Sequence, residues 1–93
     1  MNNPEISEQG NKRWFNTAGD LHRLDGPAVE FTDGAKSWYV NGQYHRLDGP
    51  ALKWPNRNSW YINDQQLTEA DWNVHPIRIE YVIRENLKSI LND

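Results

Sequence analysis

Apolar and polar residues alternate in short stretches between Trp14 and Leu67, and the apolar spacing becomes helical after Pro76. Alternation marks half-buried strands, and a period of three to four residues marks an amphipathic helix. Val29 and Phe31 flank Glu30, and Leu52 and Trp54 flank Lys53. Trp38 with Val40, and Trp60 with Ile62, continue the same apolar face. Turn signals separate these runs. Asn41-Gly42 follows Trp38-Tyr39-Val40, and both residues tolerate the positive φ of a two-residue hairpin turn. Asn63-Asp64 is a weaker copy after Trp60-Tyr61-Ile62, and Asn16 to Asp20 forms a looser turn after Trp14-Phe15.

The runs recur. Residues 22–28 read His-Arg-Leu-Asp-Gly-Pro-Ala, and residues 45–51 read the same. Trp14-Phe15-Asn16, Trp38-Tyr39-Val40-Asn41 and Trp60-Tyr61-Ile62-Asn63 open successive units, giving two full repeats and a truncated third. Each unit reads as strand, tight turn, strand. A sharp bend at Asp-Gly-Pro follows, because proline pushes the residue before it out of the helical region. Stacking the units in register predicts Val29 beside Leu52, Phe31 beside Trp54, and Glu30 beside Lys53 as an opposite-charge pair.

The C-terminal segment reads as a cap. Thr68-Glu69-Ala70-Asp71 resembles a capping box and opens a short helical turn. Pro76 suits the first position of a longer helix reaching about Leu91. Ile79, Val82, Ile83, Leu87, Ile90 and Leu91 form its apolar stripe, expected to lie on the sheet or against a second subunit. Glu80 and Arg84 form an exposed pair four residues apart. The predicted fold is mainly β with a C-terminal helix (α+β). It is a short stack of antiparallel β-hairpin repeats in a single twisted sheet, capped by the amphipathic helix. Residues 1–12 are expected to be a flexible arm, 13–67 the repeats and 68–93 the helical cap.

Composition narrows the function. The chain has 93 residues, room for one domain, and five Trp, four Tyr and two Phe to anchor a small core. No apolar run approaches the roughly 20 residues of a membrane-spanning helix, and the polar N-terminal residues show no secretion signal. There is no cysteine, hence no disulfide, thiolate nucleophile or cysteine-based zinc site. Net charge is −3, and basic and acidic residues are interspersed. Nucleic acid is therefore not an expected partner, since a phosphate backbone calls for a basic stripe. A reducing cytoplasm suits such a chain.

The run from Trp38 through Asn41-Gly42 and His45-Arg46-Leu47-Asp48-Gly49-Pro50-Ala51 resembles the divergent MORN-like hairpin repeats of bacteriophage and giant-virus proteins. The resemblance covers residues 14–67, and unit three departs from it after Asn63 by lacking the His-Arg-x-Asp-Gly-Pro block. It implies a scaffold for binding. In eukaryotic relatives such repeats are linked to membrane phospholipids and to protein assembly, but the absence of basic clusters here argues against a membrane. Small phage proteins of this type are often modulators of a host protein. The resemblance thus implies an inhibitor working in the host cytoplasm.

Candidate chemistry centres on the duplicated block. His22 and His45, with Asp25 and Asp48, could act as general base pairs. Two identical copies one repeat apart point instead to structural bends, in which His22, Asp25, Gly26, Pro27, His45, Asp48, Gly49 and Pro50 shape the repeat. In that reading the aspartates accept backbone N–H groups and each arginine pairs with the aspartate of the neighbouring unit. The three histidines have no local metal spacing, and no metal or cofactor is expected. Alternation places Phe15, Tyr39 and Tyr61 opposite the tryptophans, an open aromatic row of the composition favoured at protein interfaces. With Arg23 and Arg46 it is the expected partner-binding surface. The expected function is a non-enzymatic protein-binding module that occludes a host protein, with a defence protein among the candidates. The alternatives are a sponge for an anionic signalling nucleotide, and, further off, a hydrolase using the His/Asp pairs. Open strand edges also suggest a homo-oligomer.

Overall fold

A computed structural model of the chain describes residues 3–91. It contains nine short strands and two helices. The strands are β1 (Glu5–Ile6), β2 (Lys12–Arg13), β3 (Val29–Glu30), β4 (Lys36–Ser37), β5 (Tyr39–Val40), β6 (Gln43–Tyr44), β7 (Leu52–Trp54), β8 (Arg57–Ile62) and β9 (Gln65–Leu67). The helices are α1 (Glu69–Asn73) and α2 (Pro76–Leu91). The fold is α+β. A seven-stranded antiparallel sheet runs in the order β1-β2-β3-β4-β7-β8-β9, and β5 and β6 form a separate two-stranded hairpin.

Chain direction explains how the repeats stack. Equivalent strands of successive units run the same way, so an antiparallel connection must put an oppositely directed strand between them. β4 is that strand. Val29 pairs with Ser37, and Ser37 pairs with Leu52; Glu30 pairs with Lys36, and Lys36 with Lys53. The expected neighbours Val29 and Leu52 are therefore two strands apart, and Glu30 does not lie beside Lys53. Glu30 instead meets the Arg23 guanidinium at 3.4 Å. Phe31 and Trp54, placed side by side on the apolar face by the stacked register, are exposed at the strand ends next to turns, and Arg57 covers the Trp54 ring at 4.2 Å.

The turns follow their residues. Asn41 and Gly42 adopt φ of 50° and 81°, and Asn63 and Asp64 adopt 49° and 70°. Each turn is tied to the preceding unit: Gly42 N–H donates to the Leu21 carbonyl and Asp64 N–H to the Tyr44 carbonyl, both at 2.8 Å. These bonds set the hairpins side by side in a second layer of pairing beyond the main sheet.

The N-terminal residues are not the arm expected over 1–12. From Glu5 onward they form the β1–β2 hairpin, with Glu5 opposite Arg13 and Ile6 opposite Lys12, and β2 adds to the sheet on β3. The backbone pairing there outweighs the polar composition on which the expectation rested. Residues 1 and 2 lie outside the described range.

The core is narrow. Ala28 and Ala51, the last residues of the two seven-residue blocks, are fully buried, together with Val29, Ala35, Trp14, Ile62 and Trp72. Thr68 caps α1, its Oγ1 accepting the Asp71 N–H at 3.1 Å. This fixes Trp72, whose Nε1 donates to the Arg46 carbonyl at 2.9 Å. The helical segment is thereby pinned to the second loop of the repeat.

Gly42→Ala should lower stability by about 1 kcal/mol, because a Cβ at this positive φ is strained. Ala51→Leu should cost about 1–3 kcal/mol by overpacking a fully buried site. Urea midpoints of the two variants against the native chain measure both effects.

Candidate functional site

Two structures built from the repeat stand out: a pair of clamped loops and a tyrosine row. In the first loop the Arg23 guanidinium lies over the Trp14 ring, 3.9 Å from its centroid. Its Nε donates to Asp25 Oδ1 at 3.0 Å and its Nη1 to the Pro27 carbonyl at 3.1 Å. The second loop repeats the arrangement. Arg46 lies 3.7 Å over Trp38, donates from Nε to Asp48 at 2.8 Å, and from Nη1 to the Pro50 carbonyl at 3.0 Å. Each arginine pairs with the aspartate of its own loop, not with that of the neighbouring unit. The Nε–H, two residues away, reaches the carboxylate that was expected to accept backbone N–H groups. A Cβ on Gly26 or Gly49 would sit 2.9 or 2.7 Å from the arginine Cζ, so any side chain there would push the guanidinium from its place.

The histidines connect the units. His22 Nδ1 accepts the Asn41 N–H at 2.9 Å, and His45 Nδ1 accepts the Asn63 N–H at 3.0 Å. Each imidazole holds the turn of the next hairpin, a contact between residues 18 or 19 positions apart that no local motif announces. Burial pushes the His45 imidazole below its ordinary value of 6.5. His75 makes a third such bond, accepting the Ile77 N–H at 3.2 Å where α2 begins. Among the described residues no three or more histidine, aspartate or glutamate side chains converge as a metal site.

The backbone of each loop then meets the tyrosine strands. Arg23 N–H donates to the Tyr39 carbonyl at 3.1 Å and Arg46 N–H to the Tyr61 carbonyl at 3.2 Å. Tyr39 and Tyr44 stack with centroids 4.4 Å apart, and Tyr44 and Tyr61 at 4.8 Å. The row is half-buried and continuous. Burial, aided by Tyr44, pushes the Tyr39 phenol far above its ordinary range. Tyr44 was missed by the strand-by-strand alternation. The two-residue Asn41-Gly42 turn already pairs Tyr39 with Tyr44, however, and that register could have found it. Phe15 is not stacked in this row. It pairs across its own hairpin with Leu21, which occupies the place of Tyr44, and Arg13 lies 5.5 Å from its centroid.

On the tryptophan side, a groove of about 550 Å³ runs between the two loops and is closed by Tyr81 of α2. Trp38, Val40 and Leu47 line it. The arginines there are largely covered (23% and 19% exposed side chains), whereas Asp25 and Asp48 are 88% and 60% exposed. The groove lip is therefore acidic toward solvent. Burial, and then Asp48, push the Tyr81 phenol upward.

Comparison of the chain with protein families, curated proteins and solved structures finds no match. Among the described residues no helix is long and apolar enough to cross a membrane.

Arg46→Lys removes the planar fork and should cost about 1–3 kcal/mol. Gly49→Ala displaces the same guanidinium, so the double variant should lose less than the sum of the two single losses in urea unfolding. The His45 imidazole binds its proton at lower pH when folded than when unfolded. Its contribution is complete above about pH 6.5 and is lost as pH falls from there through the folded-state value. His45→Asn keeps an acceptor near Nδ1 without titrating. Its urea midpoint should therefore fall less than that of the native chain between about pH 7.5 and pH 5.

Proposed function

We propose that the chain is a MORN-like repeat protein that binds another protein and acts by occluding it. The observation that carries this reading is the Tyr39–Tyr44–Tyr61 stack. Tyrosine offers a large amphipathic contact at low entropic cost, and rings already stacked lose little further freedom on binding. The row crosses from β5 and β6 to β8, a shape suited to an extended protein surface. Arg23 and Arg46 support it from behind: their guanidinium groups are engaged by Trp, Asp and Pro, and their backbone N–H groups fix the tyrosine strands. Phe15 would extend the contact one hairpin further.

The groove favours the protein reading over a nucleotide sponge. An anionic guest needs unpaired cationic donors, and here the exposed charges at the lip are the carboxylates of Asp25 and Asp48. The histidines support a binding role over hydrolysis, since their Nδ1 atoms hold backbone turns and the aspartates belong to the arginines. The resemblance to viral repeats suggests a host protein as target and the host cytoplasm as the place of action, with a defence protein among the candidates.

A tagged chain expressed in its native host should retain a defined host protein, identified by mass spectrometry. Tyr39→Ala with Tyr61→Ala should weaken that complex by about 30-fold or more, as loss of an aromatic anchor of at least ~2 kcal/mol requires. Undiminished binding by the folded double variant would refute this surface. A thermal shift with a nucleotide, and no retained protein, would support the sponge instead.

A further inference from the structure

The geometry points to a second function for α2: we propose that it joins two copies of this chain through an antiparallel helix pair. The helix is amphipathic, but its apolar face is turned outward. The residues half-buried against the rest of the chain are Arg78, Tyr81 and Val82. Arg78 lies 4.3 Å over the Trp72 ring, and Tyr81 closes the groove. On the opposite side, Ile79 is 42% exposed, Ile83 53%, Leu87 51% and Ile90 69%, with Leu91 at 80% beside them. A stripe at spacings of four, four and three along a helix is the pattern of a helix–helix seam, and nothing in the described chain covers it.

Three features select a second copy as the occupant. The first is self-complementarity. A two-fold axis between Arg84 and Glu85 sets Ile79 across from Ile90 at both ends of the seam. Ile83 then lies within about 4.5 Å, along the helix axis, of its own counterpart. Asn86, the polar residue bordering the stripe, also comes within about 4.5 Å of its counterpart, placed to fix register by a mutual hydrogen bond. The second is charge. Arg84, at the edge of the stripe, pairs with Glu80 within the helix, while Glu85 and Lys88, paired at 3.2 Å, lie on the Tyr81 side, so the seam favours neither an acidic nor a basic partner. Antiparallel helices also oppose their dipoles. The third is area. The five apolar residues expose about three whole residues' worth of surface. At roughly 160 Å² per extended aliphatic residue, that is ~500 Å² per copy and ~1,000 Å² per pair, the lower bound for a specific interface.

The dimer uses the outer face of α2, not the sheet edges, and leaves both tyrosine rows free. It holds whether or not the tyrosine row is the partner-binding surface.

The test is sedimentation velocity of the full chain over a range of concentration. The mass should rise from 10.9 kDa to twice that value as concentration increases. Ile83→Glu with Leu87→Glu should stay monomeric while retaining the native far-UV and tryptophan spectra, because neither side chain belongs to the core. The chain has no cysteine of its own, which allows a second arm with smaller changes. Ile83→Cys should cross-link to itself under mild oxidation. Ile90→Cys should not, since its two copies would sit about 16 Å apart along the seam. A native chain that remains at 10.9 kDa throughout overturns the proposal. So does a dimer that survives the double Glu variant, or cross-linking at Ile90→Cys in place of Ile83→Cys.

Discussion

The arginine of each seven-residue loop lies flat on the tryptophan that opens its unit, and the rest of the architecture is arranged around that contact. Once the guanidinium is set on the indole, at 3.9 Å in one loop and 3.7 Å in the other, its Nε and Nη1 donors are directed at the loop itself. One binds the aspartate two residues on, and another the carbonyl of the proline four residues on. Glycine lies between them because a side chain would occupy the arginine's place. A partly desolvated cation on an indole contributes on the order of 1–2 kcal/mol. In a chain this small, with few large side chains wholly buried, two such clamps are a substantial share of a marginal stability.

The clamp also organises what lies on both sides of it. The histidine before the arginine holds the turn of the next hairpin, and the arginine backbone holds the strand that carries the next tyrosine. The tyrosines come into register through these links and stack as a continuous row. On the other side, Trp72 bonds to the Arg46 carbonyl and fixes the helical segment. The third unit lacks its own loop, and α1 takes over the end of the stack there. Tyrosine row, repeat and cap are in this sense consequences of one repeated side-chain arrangement.

The same economy leaves apolar surface outside. α2 docks near its N-terminal end, through Arg78 over the Trp72 ring of α1 and through Tyr81 beside the groove between the two loops. Its isoleucines and leucines face away from the chain's own core. An amphipathic helix oriented in this way matches the geometry of an assembly element more closely than that of a lid on a single core.

The hairpins, the turns at Asn41-Gly42 and Asn63-Asp64, the Thr68 cap and the helix from Pro76 were legible in the residues. These depend on backbone preferences and on neighbours only a few positions away. The duplication of residues 22–28 at 45–51 likewise announced two equivalent loops. What each side chain in those loops touches was not legible. Arg23 could reach Asp25 or an aspartate of the next unit with equal ease until the ring of Trp14 defined its plane. Periodicity makes Val29 and Leu52 equivalent, but it does not report which strand lies between them. Strand order is decided by chain direction across the whole sheet. Helical spacing likewise revealed that α2 has an apolar side, but only the docking of Arg78, Tyr81 and Trp72 decided that this side faces outward. Local sequence sets the shape of each element, while strand order and the direction each face points depend on contacts between residues far apart in the chain.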